Sequence, residues 1–285
     1  MDSSFHLQPP PPIDVTGLFA PERHALLDLL SGLSGNQWDT PTVCPGWTVR
    51  DVAIHLLGVD LGNLSVQRDG FIGTSTAGPS GSGHTALVAF VTDLNESWVA
   101  AARRLSPRLL RELLAVTGEM IAAYFGTLDS LATGPVVSWA GPDPAPVWLH
   151  VAREYTERWV HQQQIRDALA LPGFMEPEHA APVLAAFVHA LPHALRDRTA
   201  ELWTCVKLTI DGPAGGSWIA VRMEDRWALG RDDGRPADVA VAIDQDLAWR
   251  LFTKGVTPVG ALPRVRIEGH RSLGSAVLEM VSIIA

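Results

Sequence analysis

Apolar residues along this chain keep a helical spacing as far as about residue 200 and a strand-like spacing after it, so the chain cannot fold as all helix or all sheet. In the first part, Leu26, Leu27, Leu29, Leu30 and Leu33 recur at largely helical intervals from about Pro21 to Leu33. Further helices are expected over about Val49–Leu64, His84–Leu105, Pro107–Leu131, Val147–Leu169 and Glu178–Leu195, the last with Pro192 as a point where it can kink. From about Glu201 come the runs Leu202–Ile210, Trp218–Arg222, Arg226–Leu229 and Val239–Ile243, divided by turn signals such as Asp211-Gly212-Pro213 and Asp233-Gly234. A helix near Asp246–Thr253, a short strand Arg264–Glu268 and a terminal helix Ser272–Ile284 complete the pattern. The expected fold is α+β, with a helical bundle over 13–198 and a smaller α+β domain over 199–285. A length of 285 residues agrees with two domains, since one domain usually holds roughly 100 to 200.

Charge and composition remove several partner classes. The net charge is −9 with a pI near 5.5, which gives no general attraction to phosphate backbones or anionic membranes. Nucleic acid is therefore not an expected partner. The stretch from Met1 to Val15 has neither a basic leader nor an apolar segment, and no apolar run approaches the ~20 residues that span a bilayer. Neither a membrane partner nor export is expected, and the chain reads as cytoplasmic. Only Cys44 and Cys205 are present, too few for a disulfide framework or a cysteine-rich zinc cage. Asp69–Gly83 is rich in Gly, Ser and Thr and reads as a flexible connection that could act as a lid. No internal repeat and no GxGxxG, Walker A, GxSxG or HExxH pattern is present.

The chemistry-bearing residues lie on two of the expected helices. Pro45-Gly46 forms a turn, Thr48 can cap the amide of Asp51, and Trp47 and Val52 sit at staple positions, which starts a helix apolar on most sides. His55 lies in that helix and needs a partner once buried, either a backbone carbonyl or something more demanding. On the helix expected over Val147–Leu169, Glu157 and His161 are four residues apart, one turn along one face, where both can reach one metal ion. A Glu/His pair at that spacing is commonly just a solvated surface pair. Yet His150 and Glu154 extend the same face, on a helix that also carries Tyr155, Trp159, Val160 and Ile165. If the two helices face each other, His55, Glu157 and His161 form a His2Glu set, the three-ligand arrangement that leaves a position for water or substrate.

Trp38 to Leu56, with Cys44-Pro45-Gly46-Trp47-Thr48 followed by His55, resembles the hallmark of the mycothiol-dependent maleylpyruvate isomerase-like proteins, relatives of the DinB-like metal-binding bundles. Glu157-Arg158-Trp159-Val160-His161 resembles that family's Glu-x-x-x-His ligand helix, and the C-terminal region resembles its sterol-carrier-like α+β domain. The resemblance implies a DinB-like four-helix-type bundle that binds a divalent metal, usually zinc, through His55, Glu157 and His161, with mycothiol delivered to the metal as thiol cofactor or cosubstrate. Where the family often carries Asp three residues after the second His, this chain has Gln164.

The reading that follows is a metal-dependent enzyme using a low-molecular-weight thiol. The thiolate would add to an electron-poor double bond or displace a leaving group, giving isomerisation of, or transfer to, a small electrophile. Arg222, on a strand next to the one carrying Arg226, is the catalytic candidate, because an arginine there could clamp a substrate carboxylate. The alternative from another class is a non-catalytic metal- and ligand-binding protein of the same fold. Cys44 is read as part of a turn rather than as a nucleophile, and Trp38 and Trp47 as packing for the start of the His55 helix. His189 and His193 share helical spacing but have no evident third ligand.

Overall fold

The computed structural model of the chain describes residues 7–72 and 84–282, so the expected lid lies outside the described residues from position 73 on. The helices are α1 (Phe19–Ser31), α2 (Val49–Gly62), α3 (His84–Ala102), α4 (Pro107–Phe125), α5 (Val147–Ala168), α6 (Pro177–Val188), α7 (Leu191–Leu195), α8 (Gln245–Phe252), α9 (Pro258–Ala261) and α10 (Arg271–Leu278). The strands are β1 (Thr133–Val136), β2 (Pro144–Pro146), β3 (Cys205–Asp211), β4 (Gly216–Arg222), β5 (Trp227–Arg231), β6 (Val239–Asp244) and β7 (Arg266–Gly269). The protein is α+β, as its change of period requires. Three expectations need correction. The loop before α5 contains the short antiparallel hairpin β1–β2. The helix expected over Glu178–Leu195 is broken at His189 and Ala190, because Pro192 takes the second position of a new helix, where its missing N–H costs nothing. The terminal helix stops at Leu278 rather than running to Ile284.

Contacts group the chain into two compact units, one made of Asp14–Ala132 with Glu154–Phe174, the other of the chain through Ile13, Thr133–Arg153 and the chain from Met175. This grouping differs from a single cut at residue 198. It assigns α6 and α7 to the unit that holds the sheet, because α6 packs on α8, and α7 on β5 and α10.

In the helical unit, α1 buries Phe19, Glu22, Arg23, Leu26 and Leu30, a single stripe at helical spacing that contains two charged residues. Helix α4 buries Leu110, Leu114, Thr117, Gly118, Ile121 and Phe125 and packs against α1 and α2. Helix α2 is buried nearly all round, as an apolar central helix should be. Its Gly58 leaves room for Trp98 of α3: a Cβ there would lie 2.5 Å from the indole, whose Nε1–H donates to the Ile54 carbonyl at 2.8 Å. From Glu154 to Ile165, α5 is also enclosed on most sides, although it carries several charged and amide side chains. Those groups must find partners in the interior.

In the other unit the strand order is β5-β4-β3-β6-β7, antiparallel throughout except for the parallel pair β3–β6. Alternate residues of β3 and β6 are buried, and α8 and α10 pack on these two strands. No described helix is long and apolar enough to cross a membrane.

Candidate metal centre

The loop before α2 holds its shape through local bonds. The Trp47 N–H donates to the Cys44 carbonyl at 3.0 Å, and Gly46 at φ 76° takes the position of a proline-initiated turn that needs a left-handed residue. Thr48 then caps α2: its hydroxyl accepts from the Asp51 N–H, and the Asp51 carboxylate accepts from the Thr48 N–H at 3.1 Å. Arg103 of α3 adds an ion pair to Asp51 at 2.9 Å. His55 follows about two turns later, its side chain 5% exposed and its ring 5.0 Å from that of Trp47 between centroids.

Across from it, α5 supplies Glu157 and His161. His55 Nε2 lies 3.0 Å and His161 Nε2 3.2 Å from the same carboxylate oxygen, Glu157 Oε1. One ligand atom from each of the three residues falls within 4.8 Å of the other two. The structure thus brings together the three residues singled out from the sequence as metal ligands. The Glu157 side chain is 31% exposed, against 13% for His161, so the group opens towards solvent on the carboxylate side.

Electrostatics separate the three. Burial lowers the pKa of His55 and favours the neutral ring that a metal ligand must be. Burial would raise the Glu157 carboxyl, but hydrogen bonds from the two imidazoles hold it well below the ordinary range, so its oxygens stay anionic. Burial also works against charge on His161, and hydrogen bonding with Cys44 and with Glu157, together with the charge on Glu157, overcomes this and raises it. The Nδ1 of His161 meets Gln164 Oε1 at 2.7 Å. Gln164 occupies the position where Asp is common, and it does contact the histidine.

One turn from this group lies a set of charges of which the sequence pointed only to Glu154. Asp60 of α2 accepts from Arg23 and Thr117 on one oxygen and from Arg158 on the other, each at 2.8 Å. Arg158 also donates to Glu154, which accepts from Asn63 at 2.6 Å, and its guanidinium faces the rings of Phe19 and Phe125. The available signal was the placing of Arg158 between Tyr155 and Trp159 on an enclosed helix. The pairing across the 98 residues that separate Asp60 from Arg158 has no local trace.

The remaining candidates lie in the other unit. Arg222 ends β4, half-buried, its N–H donating to the Thr204 carbonyl, and Arg226 is exposed. His189 packs against Trp148, ring centroids 5.2 Å apart, and the only metal-type group among the described residues does not include it.

Residues 19–166 match the family model described as the mycothiol maleylpyruvate isomerase N-terminal domain. Uncharacterized proteins of Mycobacterium tuberculosis strains CDC 1551 / Oshkosh and ATCC 25618 / H37Rv are each 28% identical over 145 residues, 50% of this chain and 51% of theirs. The chain thus spans about half the length of the curated relatives it matches. A crystal structure of the mycothiol-dependent maleylpyruvate isomerase is similar at a TM-score of 0.52 and 14% identity, over 90% of this chain and 96% of that one. That likeness is one of fold.

Proposed function

The chain belongs to the mycothiol maleylpyruvate isomerase family through its N-terminal domain, and on that premise we propose that it is a metal-dependent enzyme using mycothiol to isomerise, or to transfer the thiol to, a small electrophile. His55, Glu157 and His161 would hold the divalent ion, with zinc the expected metal. The observation that carries the reading is the convergence of two imidazole nitrogens and a carboxylate oxygen within 4.8 Å. This donor set fits zinc and leaves a coordination position for a thiol. A divalent ion held there would stabilise the thiolate of mycothiol near neutral pH, the form that attacks electron-poor carbon.

The protein's own groups support this chemistry. Burial keeps His55 neutral, and Glu157 supplies a fixed negative oxygen on the open side. The Trp47 ring lies against that of His55, tilted, with centroids 5.0 Å apart. Arg222 is proposed to bind a carboxylate of the substrate by its two-pronged guanidinium. Mycothiol and a small electrophile are the proposed partners, and the cytoplasm the proposed compartment.

Cobalt-substituted protein tests the reading. Addition of mycothiol should produce a sulfur-to-metal charge-transfer band, and Glu157→Ala should abolish it. Fully loaded protein that gives no spectral response to mycothiol or to any other small thiol would overturn the enzyme reading in favour of a non-catalytic metal- and ligand-binding protein.

A further inference from the structure

Among the described residues, the two imidazoles differ in what lies behind them. His55 Nδ1 is buried with no hydrogen-bond partner, whereas His161 Nδ1 meets Gln164 Oε1 at 2.7 Å. That same oxygen is 3.1 Å from Cys44 Sγ. The amide oxygen can only accept, so Nδ1 of His161 must carry a proton and donate it, and the thiol of Cys44 donates as well. With a proton held on Nδ1, the proton that Nε2 shares with Glu157 Oε1 at 3.2 Å is the one missing from the neutral ring, whose lone pair then lies on Nε2. If the amide were turned over, its NH2 would face both neighbours. Nδ1 would then have to accept, and Nε2 would bear the proton and be lost as a ligand.

We propose that Gln164, latched by the Cys44 thiol, is the positioning residue of the metal centre: it selects the Nδ1–H form of His161 and aims Nε2 at the ion. The inference rests on the metal reading above and extends it to residues outside the ligand set. Cys44 is suited to the latch because its place is fixed. Its N–H donates to the Thr42 hydroxyl at 3.2 Å, its carbonyl accepts from Trp47, and Pro45-Gly46 close the turn between them. Its sulfur does not join the group of ligand atoms. A neutral amide in this place orients the ring without adding the negative charge that an aspartate would bring, so the centre keeps less charge than a carboxylate-backed histidine would give it.

The test compares the parent protein with Gln164→Leu, Gln164→Glu, Cys44→Ala and Cys44→Ser, reading zinc affinity by competition with a chromophoric chelator. It also follows the His161 ring N–H proton by nitrogen-edited NMR of the zinc-loaded protein. Gln164→Leu should weaken zinc about 10- to 100-fold and lose the slowly exchanging Nδ1–H signal, since loss of such a partner typically has that effect. Gln164→Glu, which still accepts, should keep both. Cys44→Ala should weaken zinc by a smaller factor, and Cys44→Ser, which still donates, should restore it. A parent protein that holds no ion would overturn the metal reading and this role with it. Zinc binding in the parent that is indifferent to Gln164→Leu, with the Nδ1–H signal unchanged, would overturn this role alone. Should Gln164→Leu fail to fold, an unchanged affinity and ring signal in Cys44→Ala would overturn the latch.

Discussion

Helices α2 and α5 carry two polar clusters a turn apart, and the two are built on opposite principles. Around Asp60, every hydrogen-bonding neighbour donates: Arg23, Arg158 and Thr117 each supply a hydrogen to a carboxylate oxygen. Around Glu157, two imidazole nitrogens crowd one oxygen, and the opposite side of His55 has no partner among the described residues. The first cluster gives its carboxylate a cation on each oxygen, although Nε of Arg23 and of Arg158 is buried with no hydrogen-bond partner among the described residues. The second offers its carboxylate no full cation of that kind, only two imidazoles on one oxygen, which is the contrast expected if the first is a structural ion network and the second the proposed ligand set. Mutations in the first should therefore move stability and leave metal binding alone, and mutations in the second should do the reverse.

The largest effect is expected from Asp60→Ala. Removing the carboxylate leaves the buried Arg23 guanidinium with no carboxylate and Arg158 with Glu154 alone, and a broken buried pair of this kind costs about 3–5 kcal/mol. Urea melts of metal-free protein would measure it, and a loss under about 1 kcal/mol would show that the network is not the internal support described here. The pKa of Asp60 adds a pH signature. Burial opposes its charge, the two arginines overcome this, and the carboxyl is lowered. A lowered folded-state pKa gives stability that is present above the unfolded value, ~3.9, and is lost as pH falls through the folded one. Acid unfolding should accordingly be driven below pH ~4, and this component should be missing from the variant.

Next come the proposed ligands. His55→Ala and His161→Ala should each weaken zinc by about 100-fold or more, while the metal-free proteins lose less than about 2 kcal/mol of stability. Adding zinc should raise the melting temperature of the parent and not of these variants, since only ligands that bind the folded state stabilise it. His189→Ala should leave metal content unchanged. Equal loss from all three substitutions would sink the assignment of His55, Glu157 and His161 as ligands.

The unequal legibility of the two clusters follows from the same contrast. A histidine on an apolar helix and a Glu/His pair at one-turn spacing are conspicuous because their side chains do not belong there, so His55, Glu157 and His161 stood out. Asp60, Arg23 and Arg158 looked like ordinary charged residues, because what makes them structural is a partner far along the chain. Helix α2 was readable as central from its apolar sides. The hairpin β1–β2 was not, since Thr133–Val136 and Pro144–Pro146 are short, contain Gly and Pro, and lack alternation. The break between α6 and α7 was signalled by Pro192, but as a kink, because the sequence does not say on which side of a proline a helix restarts. Gln164 was visible as a departure from the family, and only the geometry shows the contact it makes instead.

A third effect comes from Glu22, which lies beside the ion network without joining it. Both its carboxylate oxygens are buried with no hydrogen-bond partner among the described residues, and burial raises its pKa to about 7, against the pull of Arg23 and Arg158. For an acid whose folded pKa is raised, the stabilising contribution is present below the unfolded value, ~4.3, and is lost as pH rises through about 7. Glu22→Gln should remove that slope and make the protein more stable above pH 7 by about 3 kcal/mol, as read from melts between pH 5 and 8. An unchanged slope would mean that the carboxylate is paired when ionised.

The smallest effect should come from Gly118 on α4, where the contest between helix propensity and packing decides the sign. Replacing an interior helical glycine by alanine normally stabilises by about 1 kcal/mol. Here a Cβ would lie 2.6 Å from Arg23 Cγ and 3.1 Å from its Cδ. The end of that side chain cannot swing away freely, because its Nη1 is bonded both to Asp60 at 2.8 Å and to the Leu114 carbonyl at 2.7 Å. Overpacking a fixed group costs about 1–3 kcal/mol, so Gly118→Ala should be net destabilising by about 1 kcal/mol. In an Arg23→Met background, where the flexible apolar chain has no fixed end, the same change should be neutral or stabilising. Zinc affinity should be untouched in both backgrounds. A Gly118→Ala variant more stable than the parent would show that Arg23 has room to move, and that the network is looser than its bond lengths make it.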